Sequence, residues 1–431
     1  MNALTTARSQ MAMSLAFHIV FAVIGMAMPV LMVVSECLWL RTRDPVYLDL
    51  TKRWSRGTAV FFAVGAVSGT VLSFELGLLW PQFMAYAGAI IGMPFSLEGF
   101  AFFLEAIFLG IYLYGWQRVR PAAHLFSGIV VALSGALSGV FVVTANAWMN
   151  APAGFRLVNG APTDVDPIRA MLNPAAGAEV LHMLLAAYAA VGFAVAGVHA
   201  RMLLSRSRSA FHRRALAVAL LVGAPAAILQ PFAGDFSARV VARTQPVKLA
   251  AMEGQFETRR GAPLRIGGVP DQTSATTRYA IEIPGGLSWL AYGDRHALVS
   301  GLEDVPRADW PPVAIVHVSF QIMVAIGTAL AGLGLWAAWL TLAKRAFATS
   351  RVFLRALTVA APLGFIAIEA GWVVTEVGRQ PWIITNLMRT SDAVTAVPVL
   401  TATFTAFTLL YICLTAIVAV LLRRQVLAGP V

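Results

Sequence analysis

Apolar runs too long for a soluble core constrain this chain more than any other feature. Nine recur along it, at about 14–40, 58–80, 95–117, 125–148, 178–204, 214–233, 313–342, 353–376 and 394–422. About 20 apolar residues in a helix cross the hydrocarbon of a bilayer. Lipid offers the backbone no water to bond, so each run must be a helix that satisfies its own N–H and C=O groups. Composition agrees, because 58% of the 431 residues are hydrophobic and 12% charged, too few charges to coat a soluble protein of this size. The reading is an all-α integral membrane protein with about nine transmembrane helices. The first run is about twice as long as a signal-peptide core and is expected to be retained.

The net charge of +11 does not point to nucleic acid, because the basic residues sit in short connections between apolar runs. Arg41, Arg43, Lys52, Arg53 and Arg56 share one side with Arg118 and Arg120. Arg201, Arg206, Arg208, Arg213 and Arg214 join them, as do Lys344, Arg345, Arg351, Arg423 and Arg424. The opposite short loops hold only Arg8, Arg156, Arg169, Arg379 and Arg389. The positive-inside rule then predicts an outer N-terminus and a cytoplasmic C-terminus, which an odd number of spans also requires. The chain divides into residues 1–233 with six helices, a polar outer segment at 234–312, and residues 313–431 with three more. Loops as long as 234–312 are usually functional or disordered. The stretch VKLAAMEGQFETRR (247–260) has helical character, so part of the loop is expected to be ordered. Cys37 and Cys413 lie in apolar runs and read as packing residues, with neither a disulfide framework nor a zinc site.

The polar residues within the spans carry the chemistry: His18, Glu75, Glu98, Glu105, Glu179, His182, His317, Met323, Glu369 and Glu376. A charge at mid-bilayer costs roughly 2.5–3.5 kcal/mol even on the lenient insertion scale, so such residues face the protein interior. With the predicted orientation, His18, His182, Met323 and Glu376 fall in the outer half of the membrane. Imidazole, thioether and carboxylate on helices suit haem iron better than zinc or calcium. Each has a plainer reading, since a lone intramembrane His often only bonds a neighbouring helix and Met is ordinary core filling. His317 is the strongest competitor for a ligand role, whereas His124 and His199 near helix ends read as interfacial. Glu98 and Glu105 are two turns apart on one helix face, and Glu369 and Glu376 repeat that spacing. Stacked acids can relay protons, or each can pair with a buried polar group and only fix packing. In EAGWVVTEVGRQPW (369–382), Gly378 and Pro381 are expected to end the helix and leave Arg379 at the membrane boundary.

In order and spacing these stretches resemble subunit I of the cytochrome bd quinol oxidases. The likeness runs through SLAFHIVF, LEGFAFFLEAIFLGIYLYGW, ANAWMNAP, NPAAGAEVLHM, KLAAMEGQFET, GVPDQ, FQIMVAIG and EAGWVVTEVGRQPW. The brief polar loop resembles the short quinol-loop subgroup, in which the cyanide-insensitive type is the candidate. The resemblance implies that His182 and Met323 ligate a low-spin haem b. It implies that His18 and Glu376 serve two high-spin haems, one a haem b and the other haem d or a third haem b. Glu98 and Glu105 match proton-transfer acids, and Lys248 and Glu253 match polar residues of the quinol-binding loop. Arg379, Trp372 and the deeper Glu369 match the haem surroundings. The resemblance further implies quinol and O₂ as substrates, membrane lipid and a homologous second subunit as partners, and room for a small accessory subunit. Localisation is then the bacterial inner (plasma) membrane, with several spans and the long loop outside. One departure is Gln321, where the family pattern has an Arg two residues before the Met ligand. Its loss is expected to alter the low-spin haem's potential or propionate pairing.

Two other classes compete with a terminal oxidase. A haem-binding electron carrier or redox sensor without O₂ reduction would also use the His/Met set. A secondary transporter would use the acids, but it calls for internal repeats and broken helices that the sequence does not display.

Overall fold

The computed structural model describes residues 3–205, 209–344, 347–395 and 400–424. Arg206, Arg208 and Arg345, and residues 396–399 of the ninth expected span, lie outside the described residues. The helices are α1 (Ala3–Thr42), α2 (Pro45–Leu79), α3 (Pro81–Tyr114), α4 (Pro121–Asn150) and the short α5 (Pro167–Met171). They continue as α6 (Ala176–Ser205), α7 (Ala210–Thr244), α8 (Pro246–Glu253), α9 (Gly286–Tyr292) and α10 (Val313–Leu342). The last are α11 (Arg351–Ala360), α12 (Leu363–Val377), α13 (Thr390–Ala393) and α14 (Leu400–Leu422). Among the described residues nine segments are long and apolar enough to cross a membrane, with α11 and α12 counting as one.

Local chemistry sets the helix starts. Proline opens α2, α3, α4 and α8, where its fixed φ suits the first turn and its missing N–H would be unpaired anyway. Asp44 caps α2 by accepting from the Val46 amide at 3.0 Å. Three boundaries differ from the sequence reading. α3 starts at Pro81 and runs straight through Pro94. α7 continues past Pro225 and Pro231 to Thr244, so the polar segment begins after 244 and not at 234. Asp235 and Arg239 form an ion pair one turn apart at 2.9 Å, which keeps that polar stretch helical. The eighth span breaks at Ala361–Pro362 into α11 and α12.

Segments 151–175, 245–312 and 378–395 all gather at one end of the bundle, where α4, α7 and α12 finish and α6 and α10 begin. Within 245–312, α8 ends at Gly254, whose φ of +60° is the left-handed cap that a side chain would strain. The rest folds as antiparallel pairs: Arg259–Arg260 with Leu298–Val299, Leu264–Ile266 with Ile281–Ile283, and Val269–Asp271 with Thr276–Arg278. The loop is therefore an ordered cap. Cys413 is exposed on α14 and so is not the packing residue expected, while Cys37 is half-buried.

α6 and α7 form the tightest helix pair. A Cβ on Gly192 would overlap the Gly223 backbone, and one on Gly364 would overlap Ala190. These contacts draw α12 onto α6 and hold the walls of the bundle in place. Gly192→Leu is expected to cost about 1–3 kcal/mol through overpacking. Thermal unfolding of the detergent-solubilised protein measures it, with Val198→Leu, on an exposed position of the same helix, as the neutral control.

Candidate functional site

A cavity of about 1350 Å³ runs through the bundle beneath the cap. Pockets for a single small ligand span ~300–1,000 Å³, so this one exceeds a single-ligand site. Its wall includes His18, His182, Met323 and Glu376, and also Glu98, Glu105, Lys248, Glu253, Glu369, Trp372 and Arg379. Every site residue expected from the sequence thus borders one space, although they come from five membrane helices and the cap. Two of the ten polar span residues do not line it. Glu75 is buried against Gln10 (2.9 Å), which Thr403 bonds in turn, tying α1, α2 and α14 together. His317, the competing ligand, has both ring nitrogens on backbone carbonyls, Nδ1 on Met252 (2.8 Å) and Nε2 on Gly267 (3.0 Å). It secures the cap.

The donor set suits haem iron. Ser68 Oγ gives its proton to the Val64 carbonyl at 2.9 Å and so accepts from His18 Nδ1, also at 2.9 Å. That leaves His18 Nε2 with its lone pair free to ligate, since the bond at one nitrogen fixes the tautomer at the other. The Gln230 amide nitrogen is 3.2 Å from both ring nitrogens of His182 and from its carbonyl. Only a position over the ring is equidistant in this way, so the in-plane lone pair stays uncommitted. Glycines flank three of the four candidate ligands: Gly69 against His18, Gly234 against His182, and Gly371 with its virtual Cβ 3.1 Å from Met323 Sδ. Larger residues would crowd these side chains. Glu369 Oε1 and Arg379 Nε are buried without a hydrogen-bond partner among the described residues, which suits a polar group entering the cavity.

Depth sorts the groups. At 1.5 Å rise per residue, His182 lies about 9 Å, Met323 about 15 Å and His18 about 22 Å from the cap ends of their helices. α1 begins at Ala3 and not near residue 14, so His18 lies deeper in its helix than the bounds of that apolar run imply. Glu376 is in the last turn of α12. Glu98 and Glu105 approach from the opposite end, about 24 Å and 14 Å from the end of α3. Ser138 on α4 donates to Glu98 at 3.1 Å, and the Glu105 carboxylate nests against Gly25 and Gly135.

The cap end of the cavity holds a buried charge cluster centred on Asn150. Its Oδ1 accepts from Lys248 Nζ (2.8 Å) and Arg379 Nη1 (3.2 Å), and its Nδ2 donates to Glu179 Oε1 (3.1 Å). Arg379 Nη2 bonds Glu376 at 2.7 Å, and Asn146 bonds the other oxygen of that carboxylate. Arg379, just past the end of α12, is buried: its side chain is 1% exposed and its charge is met inside the protein. Burial pushes the Lys248 amine down, reinforced by the Arg379 charge. Burial also pushes Glu253 up to about 7, against the pull of Arg265. Asn146, Asn150, Ser68, Ser138 and Gln230 received no role from the sequence, and Glu179 was noted without one. The signal available was the pair of Asn residues one turn apart at the end of α4 in ANAWMNAP. His124 and His199, near helix ends as expected, are each paired within the protein. His124 bonds Glu36 at 2.8 Å, His199 bonds His212 at 2.9 Å, and all four residues are buried.

Haem-type ligands and stacked acids enclosed by a helical bundle are the marks of an integral-membrane redox protein. Comparison with known sequences narrows this, because residues 6–430 match the family described as cytochrome bd terminal oxidase subunit I. The chain belongs to that family, and so to the haem-bearing terminal quinol oxidases. It is 38% identical over 436 residues to the putative cytochrome bd menaquinol oxidase subunit I of Bacillus subtilis (strain 168), covering 100% of this chain and 98% of that one. It is 29% identical over 480 residues to the cytochrome bd-II ubiquinol oxidase subunit 1 of Escherichia coli (strain K12), covering 94% and 91%. Its fold matches the bd oxidase from Geobacillus thermodenitrificans with a TM-score of 0.93 at 38% identity, over 100% of both chains.

Asn150→Leu removes the acceptor shared by two cations, and hydrogen bonds to charged groups contribute about 1.5–3 kcal/mol each. The expected result is lower thermal stability and faster amide exchange across Pro246–Glu253, read by exchange mass spectrometry. Asn150→Asp, which keeps the acceptor, is expected to retain slow exchange there.

Proposed function

We propose that this chain is the haem-bearing catalytic subunit of a terminal quinol oxidase that oxidises quinol at the outer face and reduces O₂ to water with cytoplasmic protons. The observation that carries the proposal is the single cavity bordered by His18, His182, Met323, Glu376, Glu98, Glu105, Lys248 and Glu253. His182 and Met323 would hold a low-spin haem b. His18 and Glu376 would serve the high-spin pair, a haem b and either haem d or a third haem b. Bound there, the haems supply one-electron carriage and an iron at which O₂ is reduced.

The chain's own residues handle binding and protons. Lys248 and Glu253, both buried in the cap, would receive the quinol head group at its two polar ends. Glu253 keeps its proton below about pH 7 and is a base above it, so it can take up a quinol proton at the cap side. Glu105 and then Glu98, with Ser138 beside it, would hand protons inward from the opposite end. Electrons and protons then meet from opposite faces, so charge separates across the membrane without a pump. In this reading the cap and N-terminus are outside and the C-terminus is cytoplasmic. The relatives' names divide between menaquinol and ubiquinol, which supports quinol as a class. A second oxidase subunit would complete the enzyme.

A reduced-minus-oxidised visible spectrum tests the haem set. His182→Ala is expected to remove the low-spin signal, and an unchanged spectrum would refute that ligand. Glu105→Gln is expected to retain the spectrum while O₂ consumption falls by roughly 100-fold, the usual scale for losing a positioned proton donor.

A further inference from the structure

The strand Leu264–Ile266 would be an ordinary edge of the cap were it not gripped by α10. Gln321 Nε2 donates to the Arg265 carbonyl and its Oε1 accepts from the Gly267 amide, both at 3.0 Å. One turn earlier, His317 bonds the carbonyls of Met252 and Gly267. Two side chains of α10 thus clamp the strand to the last turn of α8. The clamp sets the course of the Arg265 side chain, which returns under α8. Its Nη1 donates to Gln255 Oε1 (2.6 Å) and to the Gly254 carbonyl (3.3 Å), and its Nε to Glu282 (3.0 Å). The side chain is 11% exposed and borders the same cavity as Glu253, Lys248 and Met323. Glu253 directly precedes Gly254, and its Oε2 is buried with no hydrogen-bond partner among the described residues.

We propose that Arg265, held by Gln321, is a positioning residue for quinol oxidation that keeps Glu253 ready to accept a quinol proton. The inference rests on the reading of Glu253 as that acceptor. Other charged groups of the cap and the cavity wall are committed elsewhere. Lys248 bonds Asn150, Glu303 accepts from the Thr258 amide at 2.7 Å, and Asp235 pairs with Arg239. His317 is held by its two carbonyls, and Glu282 sits on the far side of Arg265. Burial alone would favour the protonated carboxyl, which cannot accept, and the Arg265 cation opposes it. Gln321, an amide where the family pattern has a cation, thereby serves the cap: it fixes a neighbouring residue that brings a positive charge to the same wall.

The test is the initial rate of oxidation of a short-chain quinol by the complete oxidase between pH 5.5 and 9.5, with the haem spectrum as a check on folding. The wild-type rate is expected to rise with a midpoint near 7. An opposite charge nearby shifts a carboxylate by about 1–3 units, so Arg265→Gln is expected to move the midpoint up by at least about one. A one-unit move lowers the rate at pH 7 by about fivefold and leaves it nearly unchanged at pH 9. Arg265→Lys, which keeps the charge, is expected to retain the wild-type midpoint. Gln321→Met, which frees the strand without touching a charge, is expected to give a smaller shift in the same direction. An Arg265→Gln rate lowered by one factor at every pH, or unchanged, overturns the inference. Glu253→Gln separates the two levels. If it abolishes the rise while Arg265→Gln leaves the midpoint in place, only the role of Arg265 fails. If it keeps the rise, the acceptor role of Glu253 fails, and the inference with it.

Discussion

A charge taken into a bilayer must find its counter-charge inside the protein, and the bundle is organised around meeting that demand. The cost of an unpaired buried ion is several kcal/mol, more than any single helix contact returns. Asn150 is where the demand is met. One carboxamide at the end of α4 accepts from Lys248 and Arg379 and donates to Glu179, while Arg379 reaches Glu376. Four elements distant in sequence are fixed to one another by this group. Remove it and two cations and a carboxylate lose the partner that makes their burial tolerable.

The same economy explains the two ends of the cavity. At the cap, charges of both signs are gathered on Asn150 and Glu376. Deeper, Glu98 and Glu105 form no ion pair among the described residues and are bordered by glycines and a serine. Such acids are poorly suited to structural pairing and well suited to passing protons. The two polar regions are separated along the bundle, and under the proposed function that separation would keep quinol chemistry and proton delivery apart.

Much of the site was legible in the sequence, but unevenly. Residues whose presence in a span is costly (His18, His182, Glu98, Glu105 and Glu376) announced themselves, and all border the cavity. His317 was costly for the same reason and does something else, because both its nitrogens are spent on carbonyls of the cap. Arg379 was legible as a cation at the end of α12, but its partners, a carboxylate one turn back and an amide from α4 that bury it, were not. Gln321 looked like a lost cation next to a metal ligand. Its amide bonds the strand that carries Arg265, a link across more than fifty residues that no local pattern could signal.

Hydrophobic length alone determined that the chain is a helical membrane protein with nine crossings, because lipid leaves the backbone no other way to satisfy its hydrogen bonds. Residue chemistry at fixed depth determined which side chains could hold haem or carry protons. Helix ends were less certain, since α7 stays helical through Asp235 and Arg239 once those charges pair along one face. Only the tertiary structure decided which buried charge meets which, and which histidines border the cavity and which one braces the cap. Those choices depend on contacts between residues far apart in the chain, where distance and partner decide the free energy and sequence spacing does not.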